Sequence, residues 1–116
     1  MSIIVEHSQI TIPFSIANGQ TTSGAVRLAG QTVVGLVIPA LNGTPTLNAQ
    51  VSYDGSGWHN LLKADGASQA IAITGGASGF AVGLDELTRL APFPYFRLVA
   101  SITQTADRQF EAICKG

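Results

Sequence analysis

The side chains of this 116-residue sequence that could do acid–base or nucleophilic chemistry are two histidines, one cysteine and seven carboxylates. Nucleophilic hydrolysis needs an activated nucleophile with a base in hydrogen-bonding reach. Cys114 and His59 could in principle supply one, but no nucleophile motif surrounds Cys114, so a lone thiol reads as a small buried hydrophobe and His59 as a surface residue. Asp54 with Asp65, or Asp85 with Glu86, could form an acid–base pair. Asp54 and Asp65 each precede a glycine, however, and are turn formers first. Asp85 and Glu86 open a helical turn, where the helix dipole favours negative charge. The loop Asp54-Gly55-Ser56-Gly57 offers a calcium ion one carboxylate where six to eight oxygens are needed. No phosphate-binding glycine motif is present. The expectation is a chain with no catalytic residue, no metal and no cofactor.

One further constellation could bind without reacting. Tyr53, Trp58 and His59 cluster around a hairpin and could form a stacking platform for a sugar ring. Against it stands the simpler reading of Trp58, alone at the base of a hairpin, as a core anchor.

These residues are carried by an unusually neutral chain. Charged residues make up 11% of it and the net charge is −1, where soluble domains average about 25% charged. Little self-repulsion keeps copies apart, and the surface must be built from Ser, Thr, Asn, Gln, Gly and Ala. Such a surface is easily desolvated and suits a subunit covered by neighbours. The six basic residues are scattered, so no nucleic-acid partner is expected. The longest apolar run, residues 33–41, is interrupted by Gly35 and Pro39 and falls short of the ~20 residues a spanning helix needs. Residues 1–7 lack a basic region followed by an apolar stretch, which predicts neither a secretory signal nor a membrane partner.

The elements that must position these side chains are strands. Ile10, Ile12, Phe14 and Ile16 alternate with polar residues, and Pro13, having no amide proton, assigns that strand to an edge. Residues 33–38 read as a strand buried on both faces, ended by Pro39. Leu47, Ala49, Val51 and Tyr53 alternate most cleanly, and the turn at 54–57 leads to a return strand over 58–62. Further strands are predicted over 69–74, 95–102 and 109–114. Leu84, Leu87 and Leu90 at spacing three predict one short helical turn near 85–90, stopped by Pro92 and Pro94. The fold class is all-β: a single-domain β-sandwich or jelly roll of about eight short antiparallel strands, spanning 1–116. Ile3, Ile4 and Val5 form either an edge strand or an N-terminal arm able to add to a neighbour's sheet.

Three segments carry a family likeness. Val34-Gly35-Leu36-Val37-Ile38-Pro39-Ala40, Leu47-Asn48-Ala49-Gln50-Val51-Ser52-Tyr53-Asp54-Gly55 and Trp58-His59-Asn60-Leu61-Leu62 resemble a recurrent family of tailed-phage virion proteins. Phe96-Arg97-Leu98-Val99 and Ala106-Asp107-Arg108 extend the likeness over roughly residues 24–114. The Ser-x-Asp-Gly…Trp element is shared with discoidin-like and carbohydrate-binding sandwiches. One departure is Gly43-Thr44-Pro45-Thr46, where relatives commonly have a longer link containing an aromatic residue. The resemblance implies a non-enzymatic capsid decoration (cement) protein, made in the host bacterial cytoplasm and located in the virion. Its partners would be the major capsid protein or another virion protein, and copies of itself, with a trimer favoured at a symmetry axis. The alternative is a carbohydrate-binding or host-recognition module using Tyr53, Trp58 and His59.

Overall fold

Leu47, Ala49 and Val51 alternate with Asn48 and Gln50, and the chain responds with the strand that pattern demands, its apolar side buried and its polar side half-exposed. The computed structural model describes residues 9–83, 87, 90 and 92–116. Among these, nine strands form: β1 (Gln9–Ile16), β2 (Val26–Arg27), β3 (Thr32–Ile38), β4 (Thr46–Ser52), β5 (His59–Asn60), β6 (Ala72–Thr74), β7 (Phe80–Val82), β8 (Tyr95–Ala100) and β9 (Arg108–Lys115). They make two antiparallel sheets, one ordered β1-β9-β3-β7 and the other β2-β8-β4-β5, with β6 also on β4.

β5 and β6 share one strand position. β5 pairs with the end of β4 through Gln50↔Asn60, and β6 with its beginning through Asn48↔Ala72. A continuous strand would put residue 62 opposite Asn48; ten extra residues intervene. They form a small hairpin in which Lys63 N–H donates to the Ser68 carbonyl and Ala70 N–H to that of Leu61. Counted this way there are eight positions, and the pairing is nested: β1 with β9, β2 with β8, β3 with β7, and β4 with β5/β6. A long antiparallel hairpin rolled up in this manner is a jelly roll. The all-β sandwich expected from the sequence is the fold.

The core lies between the sheets. Phe14 stacks on Phe110 at 5.2 Å within one sheet and meets Phe96 of the other edge-on at 5.8 Å. Such pairs contribute about 0.5–1.5 kcal/mol each beyond burial. Ile16, Val33, Leu36, Ile38, Leu47, Ala49, Leu98 and Cys114 complete the contact. Pro13 lies on β1, which is an edge strand as its missing donor requires.

Several local expectations need correction. The strand over 33–38 is not buried on both faces: Val34 and Val37 are half-exposed. A register shift between Val33 and Gly35 against β9 lets both Val33 and Leu36 face the core although they lie an odd number of positions, three, apart. The return strand over 58–62 shrinks to His59–Asn60, and the one over 69–74 to Ala72–Thr74, because the inserted hairpin takes the residues between them. β2 and β7 had too few residues to show a period. The β2–β3 link turns at Ala29 (φ 50°) and Gly30 (φ 83°), closed by Gln31 N–H donating to the Leu28 carbonyl. Two successive positive φ values define a type I′ turn. Of the predicted helical turn, Leu87 and Leu90 are described: both have 3₁₀ geometry and are buried. Asp85 and Glu86, like Ile3, Ile4 and Val5, lie outside the described residues.

Candidate functional site

The residues proposed for chemistry are kept apart. Cys114 is fully buried on β9, opposite Ile10 and Val33 of one sheet, while His59 is exposed on β5 of the other. Burial pushes the Cys114 thiol above its ordinary pKa, away from the nucleophilic thiolate form. Asp54 and Asp65 sit in separate turns and serve them. Asp54 Oδ1 accepts from the amides of Ser56 and Gly57 at 2.9 Å each, and from Ser52 Oγ at 3.0 Å. Those donors hold its carboxyl well below the usual carboxylate range, the Gly57 amide having the largest effect. Asp65 Oδ1 accepts from Ala67 and Ser68, with the same direction of shift. No three His, Cys, Asp or Glu side chains among the described residues converge as a metal-ion set.

The hairpin aromatics divide between two places. Tyr53 and His59 line a cleft of about 340 Å³ together with Phe93, Leu61 and Leu62, at the end of the sandwich beside the β4–β5 turn. Tyr53 and Phe93 meet at 5.7 Å, and Tyr53 (73% exposed) and Leu62 (40%) leave apolar surface open to solvent. Trp58 is absent from this cleft. Alternation along the strand turns it to the outer face of the β2-β8-β4-β5 sheet, where it is half-buried. It is therefore neither the core anchor expected nor part of a platform with Tyr53 and His59.

What Trp58 contacts is a residue that sequence reasoning passed over. Arg97, on β8, reaches across β4 and lays its guanidinium over the Trp58 ring at 4.3 Å. Gln50, its register partner on β4, accepts from Arg97 Nε at 2.8 Å and donates through Nε2 to Asn60 Oδ1 at 3.0 Å. Burial lowers the Arg97 pKa, but an arginine stays charged at physiological pH. The result is a cation fixed near the middle of a sheet face by a cation–π contact and one hydrogen bond. Nothing local signals it, because Trp58 and Arg97 are brought together only by the pairing of three strands.

No family model matches the chain, and no curated protein matches it in sequence. Among solved structures, the SPBc2 prophage-derived protein YomS superposes over 100% of both chains with a TM-score of 0.60 at 7% identity. The two proteins share a fold over their whole length.

Proposed function

We propose that this chain is a non-enzymatic structural subunit of a bacteriophage particle, and within it a capsid decoration protein that stabilises the head by binding the capsid lattice. The observation that carries the reading is the end-to-end likeness of its fold to a prophage-derived protein. Supporting it, jelly rolls recur in viral capsid proteins. An 11% charged composition leaves faces that lose little hydration when covered. The candidate nucleophile is buried and two candidate acids are committed to turns. The partners are the major capsid protein or another virion protein, together with further copies of this chain. Quantitative mass spectrometry of purified particles tests this. A copy number near that of the capsid subunit is the expected result; a handful of copies moves the protein to a vertex or tail, and absence from the particle ends the proposal.

A second reading draws on the cleft. Exposed Tyr53 beside Phe93 and His59 offers a small ring-stacking surface of the kind that binds sugars. Under this reading Tyr53→Ala abolishes glycan-array binding while the circular dichroism spectrum is unchanged. Trp58→Ala leaves the binding intact, since that ring lies on another face.

A further inference from the structure

The outer face that carries Arg97 holds a cation that no carboxylate meets among the described residues. Arg97 spends Nε on Gln50 and its ring contact on Trp58, and among the described residues its terminal nitrogens bond nothing. A second cation on this face is Arg27, exposed on β2 opposite Tyr95. A planar, pre-oriented guanidinium whose two terminal nitrogens are free is built to take a carboxylate.

Among the described residues, elimination singles out one carboxylate. The carboxylates described are Asp54, Asp65, Asp107 and Glu111. Asp54 and Asp65 are committed to their own turns, and Asp107 Oδ1 accepts from the Asn18 amide at 2.8 Å. Glu111 remains. It is exposed on β9, alternating with buried Phe110 and Ala112, so it stands on the outer face of the opposite sheet. Its register neighbours are Pro13 on one side and Val37 on the other, and neither can pair with it. Lys115, on the same side of β9, is four residues along, about 13 Å away. The two outer faces thus carry, at Arg97 and Glu111, opposite charges that make no ion pair among the described residues, and they point away from each other within one molecule.

We propose that the outer face around Arg97 and Trp58 receives Glu111 of a second copy of this chain, so that copies join face to back. This deepens the structural-subunit reading by naming the surface through which copies meet. The contact is heterologous: each copy gives one face and receives on the other, which builds a ring or an open stack and not an isologous dimer. A closed trimer at a symmetry axis is one ring such a contact can form. Trp58 beneath the guanidinium and Val37 and Pro13 beside the carboxylate exclude water from the pair, as an anchor within an interface requires.

Charge exchange tests it. Sedimentation equilibrium and native mass spectrometry of the purified chain should show a concentration-dependent series of assemblies. Glu111→Arg and Arg97→Glu should each weaken association at least tenfold. The double variant should restore it, and so should an equimolar mixture of the two single variants, since each then supplies what the other lacks. Glu111 is exposed, so Glu111→Arg keeps the test decisive even if Arg97→Glu misfolds. A wild-type chain that stays monomeric at high micromolar concentration overturns the proposal, as does association indifferent to Glu111→Arg. Rescue by neither the double variant nor the mixture overturns it too. Particle copy number is scored separately: a monomer that still decorates heads refutes this contact alone, and assemblies absent from particles refute the structural-subunit reading alone.

Discussion

Gln104 carries no charge and exposes no surface, yet it ties three loops together. Its Oε1 accepts from the Asn42 amide at 2.8 Å and from Arg108 Nε at 3.2 Å, and its Nε2 donates to the Ile102 carbonyl at 3.0 Å. Its backbone exchanges bonds with Gly19 and Gln20. Gln104→Ala strips partners from buried groups and should cost about 1–3 kcal/mol in urea denaturation. A loss within error would show that the loops hold without it. Asp54 makes a different residue-scale prediction. Its folded pKa lies below the unfolded one, so its contribution is full above about pH 4 and is lost as pH falls toward the folded value. Asp54→Asn keeps an acceptor oxygen but no titration. The urea midpoint of the variant should therefore fall less than that of the wild type between about pH 4 and pH 2. Parallel curves would contradict the assignment.

At the scale of elements, the split edge strand is the feature most open to test. Deleting residues 62–71 would join Leu61 to Ala72 and restore the register that Gln50↔Asn60 begins and Asn48↔Ala72 resumes. The expected outcome is a folded protein with the same far-ultraviolet spectrum and a lower melting temperature, because buried Ala70 and Ile71 are lost with the hairpin. A molten product would mean that the hairpin is needed to set the strand. This element also marks where the sequence ceased to be legible. The alternation of β4 and the edge placement of Pro13 could be read because period and proline chemistry are local. The Asp-Gly turns were legible for the same reason. The bulge between Val33 and Gly35, the type I′ turn at Ala29-Gly30 and the two-residue strands depend on what lies opposite them. So does the Arg97–Trp58 contact, and with it the surface proposed for assembly: every residue was visible, but its neighbours across the sheet were not.

For the whole molecule the nested pairing governs how the fold is reached. Gln9 pairs with Lys115 and Val26 with Phe96, so much of the structure forms only after distant segments have met. Topologies of this kind fold in milliseconds to seconds. Trp58 reports the event, because its contact with Arg97 requires β4, β5 and β8 together. Stopped-flow fluorescence should show refolding in that range, and a sub-millisecond phase carrying the full amplitude would contradict this order of events. The same pairing has a mechanical consequence. Gln9 and Lys115 stand at the same end of the β1–β9 ladder, so a force drawing them apart loads its hydrogen bonds one at a time and peels the strands like a zipper. Force applied across the sheet faces meets many contacts at once. A domain built this way resists load through its broad faces and yields when pulled by its outermost strands.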